Sequence, residues 1–327
     1  MTILRGEINP AEQPKPVQSE AAEHIGRKLR ALVLLGGAMR PTPLITAVAR
    51  SILDLPIAED RTVLRQWHAQ ATNLANDLSV ERLPVRVMIN RNSARPNLTT
   101  SENHVVIRIH EDETEYRGTA GVLHDLTDHY DDDDYVLVVN GSQIVLKRLT
   151  EIFGILAETA ADVSLISHHD GSPSNAMLVR CGALRQISEI GFVDMKEQAL
   201  PKIANRHRVV VVHQTEPTAI PIRTMTDYIR ALRWFHTESN DETTERFARD
   251  HPFAEAWQPT FSIIEKGATV ERDARIHDSV ILAGAYIERG GVLVQSIVCP
   301  GGRIRRKEVV TDRLVMADSR RKRRDQK

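Results

Sequence analysis

The C-terminal part of the chain repeats at an interval that neither an ordinary helix nor an ordinary strand explains. Ala268, Ala274, Val280, Tyr286, Val292, Val298, Ile304 and Val310 recur every six residues, and Ile264, Val270, Ile276 and Leu282 form a second column at the same interval. Helices repeat near 3.6 residues and half-buried strands at 2. A six-residue period suits short parallel strands stacked coil upon coil, with one inward side chain per flat face. Gly267, Gly284, Gly290, Gly291, Gly301 and Gly302 supply turns between them. The pattern predicts a short left-handed parallel β-helix over residues 259–316. Tyr286 and the run Cys299-Pro300-Gly301-Gly302 interrupt it, so few and imperfect coils are expected.

Upstream the pattern is different. Short apolar runs at 31–35, 85–89, 105–109, 135–139, 163–166 and 209–212 read as buried strands. Residues 62–78 and 144–160 carry apolar positions at helical spacing, the second with Ile144, Leu149, Ile152, Phe153 and Leu156. Strands alternating with helices predict an α/β domain with a mostly parallel, Rossmann-like sheet covered on both faces. Residues 1–28 are polar and proline-bearing, which predicts a mobile arm. The large domain is then 29–258, including a polar connector over 237–257, and 317–327 is a basic tail.

Composition excludes some classes of function. Among 327 residues, 41% are apolar and the formal net charge is −1, which gives no global case for nucleic-acid binding. No apolar run approaches the ~18–20 residues of a membrane span. No basic-then-apolar leader opens the chain, and Cys181 and Cys299 suggest no disulfide framework. A cytoplasmic location is expected.

The order of segments in 29–236 resembles the sugar-1-phosphate nucleotidyltransferases, many of which carry a C-terminal hexapeptide-repeat β-helix. The segments that carry the resemblance are Leu34-Leu35-Gly36-Gly37-Ala38-Met39-Arg40, Pro43-Leu44, Arg50 to Pro56, Arg117-Gly118-Thr119-Ala120-Gly121 and Val138-Val139-Asn140-Gly141. Two more are 191–201 and Ile222 to Tyr228. The resemblance implies a nucleotide-diphospho-sugar transferase fold. It also implies a nucleoside triphosphate and a sugar 1-phosphate as substrates, with Mg²⁺ as cofactor. Arg40 and Arg50 would hold phosphate oxygens. Gly36, Gly37, Gly118, Thr119, Gly121, Asn140 and Gly141 would line the nucleotide and sugar. Crowded phosphate charge calls for guanidinium groups and amide donors, and glycines let the backbone approach closely.

The chain departs from this family at the metal. Ser142 and Pro221 stand where the resemblance implies two aspartates, and Arg50 stands where it implies a lysine. No metal ligand is therefore assigned, although Asp54, Asp170 or Asp194 could be a relocated carboxylate. Two readings follow: a nucleotidyltransferase-like protein with an eroded metal site, or a non-catalytic nucleotide- or partner-binding member. Other features carry a plain reading and a chemical one. Gly118–Gly121 is either the family segment or a helix start capped by Thr119. Asp131–Asp134 reads as a solvated loop in preference to a metal motif, and His168-His169-Asp170 as a hairpin turn in preference to a ligand set. His277 reads as an isolated surface residue in preference to an acyl-transfer base, and Arg320–Arg324 as a solubilising run in preference to a partner site. A β-helix with exposed edges predicts a homo-oligomer, dimer or trimer.

Overall fold

A computed structural model describes residues 19–36, 42–91, 93–98, 105–112, 118–168, 173–187, 193–239 and 260–317. Gly37, Arg40, Arg117, His169, Asp170 and the run Arg320–Arg324 lie outside them.

The chain opens on helix α1 (Glu20–Arg27), strand β1 (Leu29–Leu35) and helix α2 (Pro43–Val48). A small hairpin follows, β2 (Pro56–Ala58) and β3 (Arg61–Thr62), then α3 (Val63–Asp77), β4 (Leu83–Asn90) and β5 (Val105–Asp112). Next come α4 (Gly118–Thr127), β6 (Tyr135–Asn140), β7 (Gln143–Val145), α5 (Leu149–Ala157), β8 (Val163–His168) and β9 (Pro173–Arg180). Then α6 (Cys181–Leu184), α7 (Leu200–Ile203), β10 (Val209–Gln214), β11 (Ala219–Pro221) and α8 (Met225–Ser239) complete the α/β part. Seven strands form one sheet in the order β10-β8-β9-β6-β1-β4-β5. All its pairings are parallel except those of β9, which runs antiparallel to β6 and β8.

Apolar runs buried on both faces explain the sheet's centre. Leu32 and Leu34 of β1 face one core with α3 and α5, while Ala31 and Val33 face a second core under α4 and α6. Helix α3 starts where the Thr62 side chain accepts from the Arg65 amide and then buries Trp67, Ala71 and Leu74.

Two local expectations are corrected. Residues 20–27 of the expected arm form α1, because Ser19 caps the helix and Ala22 and Ile25 reach the core. Two apolar anchors are too few to show as a period. The expected helix over 144–160 begins only at Leu149, because Ile144 sits in β7 opposite Ile220 of β11. That partner lies 76 residues away in sequence and leaves no local signal. Strand β9 (Pro173–Arg180) has no counterpart among the apolar runs of the sequence.

Beyond Phe261 the chain builds three parallel ladders in rotation. The first contains β12 (Ser262–Ile264), β15 (Ser279–Ile281), β18 (Ile297–Val298) and β21 (Leu314–Val315). The second contains β13 (Thr269–Val270), β16 (Tyr286–Ile287) and β19 (Arg303–Ile304). The third contains β14 (Arg275–His277), β17 (Val292–Val294) and β20 (Val309–Thr311). Register partners such as Ser262 and Ser279, or Val292 and Val309, are 17 residues apart. The strict six-residue column is thereby corrected: each circuit runs six, six and five. The shared interior holds Val270 and Ile276, then Ile281, Ile287 and Leu293, then Val298, Ile304 and Val310. Tyr286 and Val292 fall one place off that interior.

Positive-φ residues mark the three corners at the same 17-residue interval: Gly267, Gly284 and Gly301; Asp273, Gly290 and Lys307; Asp278, Gln295 and Asp312. The left-handed backbone favours glycine, and asparagine or aspartate tolerate it better than most side chains. The third corner is the one shortened by a residue.

A register test follows. Leu293→Ala should cost about 2–5 kcal/mol in urea unfolding, because Leu293 is fully buried in the interior. Val292→Ala should cost less than about 1 kcal/mol. Equal costs would restore the strict six-residue column.

Candidate functional site

Strand order reverses beside β1: the chain goes from β1 to β4 and β5 on one side, then returns to β6 on the other. The crevice at the carboxyl ends of β1 and β6 is where an open α/β sheet offers a binding site. Leu35 and Asn140 are register partners there, so Gly36 and Gly141 leave the sheet side by side. A Cβ on Gly141 would lie 3.3 Å from the Leu34 Cβ and 3.5 Å from the Gly36 Cα. That contact is tight enough to explain the glycine.

Position 142 and position 221 meet in this crevice. The Ile222 amide donates to the Ser142 carbonyl at 2.9 Å, and Pro221 pairs with Gln143. The two places where the resemblance implies carboxylates are therefore adjacent in space, and both side chains are neutral. A magnesium ion takes oxygen ligands that ordinarily include one or two carboxylates, so this donor set does not fit it. Among the described residues no group of three His, Cys, Asp or Glu side chains could hold a metal. Of the possible relocated carboxylates, Asp54 accepts from the Asn97 amide at 2.9 Å, and Asp194 accepts from the Glu197 amide at 2.9 Å.

The described crevice amides of Gly36, Gly141 and Ser142 are already bonded. Gly36 N–H donates to the Met88 carbonyl at 2.8 Å, and Gly141 N–H donates to the Leu35 carbonyl at 2.9 Å. Ser142 N–H donates to the Asn140 side-chain oxygen at 2.9 Å. Trp67, which sequence reasoning did not single out, donates its indole N–H to the Gly141 carbonyl at 2.9 Å. Gln66 brackets the next strand: its amide nitrogen donates to the Val145 carbonyl, and its oxygen accepts from the Val145 amide. No local pattern in α3 announces either role, since both depend on a partner more than 70 residues away.

Gly118, Thr119 and Gly121 form the first turn of α4. Gly118 has φ +70°, and a Cβ there would sit 2.4 Å from the Val193 carbonyl oxygen. Thr119 does not cap its own helix; its hydroxyl accepts from the Met195 amide at 3.4 Å. This turn is tied to the 193–195 segment, so two of the segments carrying the resemblance meet here.

Arg50 is engaged elsewhere. Its two terminal nitrogens donate to the two Glu265 oxygens at 2.8 and 2.7 Å, and Glu265 also accepts from the Ala283 amide at 2.7 Å. Both side chains are mostly buried (23% and 13% exposed). A bidentate arginine–carboxylate pair is strong and directional. It joins the segment after α2 to the first ladder.

The Asp131–Asp134 run is not simply a solvated loop. Lys28 and Arg180 pair with Asp133, Arg185 lies 3.6 Å from Asp132, and Arg30 lies 2.8 Å from buried Asp134. The run staples the amino end of β6 to β1 and β9. His277 is exposed on β14. His168 ends β8, with an Nδ1 that is buried and has no hydrogen-bond partner.

No family model matches the chain, and no curated protein matches it. Among solved structures it is similar to HddC from Yersinia pseudotuberculosis at 13% identity and a TM-score of 0.46. That match covers 63% of this chain and 99% of HddC. No helix among the described residues is long and apolar enough to cross a membrane.

Two measurements probe this region. Arg50→Ala and Glu265→Ala should each cost about 1.5–3 kcal/mol. The double variant should cost much less than their sum, read as a coupling in a double-mutant cycle. The second concerns Asp54. Burial raises its pKa from the ordinary 3.8, against smaller lowering effects of the Asn97 amide and Arg50. The native state keeps the Asp54 proton to higher pH than the unfolded chain does. Its contribution to stability is full below pH 3.8 and is lost as pH rises through the folded value. Urea titrations should show wild type losing ground against Asp54→Asn as pH rises from about 4 toward 7, with the gap closing below about 4.

Proposed function

We propose that this chain is a nucleotidyltransferase-like protein that acts without nucleotidyl transfer, as a nucleotide- or partner-binding scaffold. In this reading the C-terminal ladders close into a short left-handed β-helix that serves as the docking module. The observation that carries it is the pairing of Ser142 with the Pro221–Ile222 segment at the crevice, with no carboxylate from either position.

Phosphoryl chemistry needs charge neutralised at the reacting centre, by metal ions, guanidinium groups or aimed amides. Among the described residues, several candidates are occupied in other ways. Arg50 holds Glu265, and the amides of Gly36, Gly141 and Ser142 hold backbone or side-chain oxygens. Engaging a phosphate would require those bonds to break. The chain's own residues fit keeping this crevice closed. The remaining elements of the reading are a cytoplasmic location and a homo-oligomer, dimer or trimer.

Purified protein incubated with ATP, CTP, GTP, UTP or dTTP, a panel of sugar 1-phosphates and Mg²⁺ should release no pyrophosphate above background. Any thermal shift a nucleotide produces should not increase with Mg²⁺. Specific pyrophosphate release, or a nucleotide shift that magnesium strengthens, would sink the proposal. The double substitution Ser142→Asp with Pro221→Asp should confer magnesium binding before it confers turnover, measured by calorimetry.

A further inference from the structure

Among the described residues, one corner of the seven-stranded sheet lies outside both cores. On the face that α4 covers at β1 and β6, the strands β4 and β5 present Arg86, Met88 and Asn90 beside Arg108, His110 and Asp112. Met88 still packs against the α4 core. Arg86 and Arg108 are register partners, as are Met88 and His110. Two guanidinium groups directly across from each other on one sheet face repel. Their strands also hold them side by side, about 5 Å apart between backbones.

The donor chemistry of the cluster is one-sided. An Arg86 terminal nitrogen donates to His110 Nε2 at 3.0 Å. A guanidinium has no acceptor, so Nε2 must be the bare ring nitrogen and Nδ1 carries the proton. His110 then uses its one acceptor nitrogen on Arg86 and keeps an N–H donor at Nδ1. Its pKa is lowered by burial, then by the charges of Arg86 and Arg108, which keeps the ring in this neutral donor form. Arg86 Nε is buried with no hydrogen-bond partner at all, a costly state for a charged group's donor. Arg108 is exposed. Among the described residues of β5 on this face, the acidic one is Asp112, which lies beyond His110 and has an interaction of its own.

We propose that Arg86, Arg108 and His110 form a binding site for a phosphate-bearing anion on the open face of β4–β5, separate from the crevice at the ends of β1 and β6. Two guanidinium groups with an imidazole N–H match the tetrahedral acceptor array of a phosphate group, and arginine is suited to contact it bidentately. An oligophosphate would relieve the cross-strand repulsion. The proposal stands whether or not the crevice is catalytic.

The test is calorimetric titration of the full-length protein with inorganic tripolyphosphate, with ATP and with adenosine as further arms. Wild type should bind tripolyphosphate at one site, with affinity falling as salt rises. Arg108→Ala alters an exposed side chain and should retain the wild-type melting temperature while weakening binding about tenfold or more. Arg108→Lys should recover part of the loss. In the nitrogen-15 spectrum the His110 Nδ1 resonance should move on titration. If ATP binds as tripolyphosphate does and adenosine does not, the phosphates are what is recognised. Lack of tripolyphosphate binding, undiminished binding by a folded Arg108→Ala, or an unmoved His110 resonance would each overturn the site.

Discussion

The structure depends on one apolar contact, the burial of the first ladder's outer face in the core of the α/β part. Ile263, Val280, Leu282, Ile297 and Cys299 share a single cluster with Leu32 and Leu34 of the central strand, Trp67 of α3 and Tyr228 of α8. The ladder's strands thus have two apolar sides. Ile281 and Val298 fill the interior of the repeat, while their immediate neighbours fill the domain core. At roughly 25 cal/mol per Å² of apolar surface removed from water, such a face holds the two parts as one body. Two arginine–carboxylate pairs border it, Arg50 with Glu265 and Arg233 with Asp278. His236 stacks on Phe261 and donates to the Ile57 carbonyl at the same seam.

That contact redirects residues whose types suggest another use. An arginine where the resemblance implies a lysine, as at Arg50, invites a phosphate reading, since guanidinium and phosphate match. A carboxylate with two oxygens in the same plane matches equally well, and Glu265 is supplied by the docked ladder. Removing Glu265 from its partner would leave a mostly buried cation without compensation, so the pair is held by the cost of separating it as much as by its attraction. The site and the seam cannot be varied independently at Arg50.

What the sequence made legible follows from the range of each interaction. The runs at 31–35, 85–89, 105–109, 135–139, 163–166 and 209–212 all lie within strands of the large sheet; burial on both faces makes the runs of β1 and β6 unbroken, whereas β4 buries alternate residues and its run is broken by Arg86. The repeat was visible too, but its interval was read as six throughout. The five-residue step lies at the corner of Asp278, Gln295 and Asp312, where no glycine stands to mark the turn. The first column was then correct at Val298, Ile304 and Val310 and one residue out at Tyr286 and Val292. In the crevice, positions 142 and 221 meet through the antiparallel pairing of β7 with β11, which no local pattern announces. The roles of Trp67, Gln66 and Glu265 were hidden, since each is defined by a partner on a distant element.

Gly36 and Gly141 show why residue type alone does not settle a site. Glycine at a strand end permits close approach of something to the backbone. That something can be a phosphate oxygen or another stretch of the same chain, and the glycine is identical in both cases. Here the two glycines approach each other: a side chain at position 141 would press on Leu34 and Gly36. Their amides then point at carbonyls of β1 and β4 and not out of the sheet. What decides the use of a glycine pair is therefore the register of the neighbouring strands, which sets whether a carbonyl already stands within 3 Å of each N–H. Where it does, those two amides are spent in the same hydrogen bonds that extend the sheet.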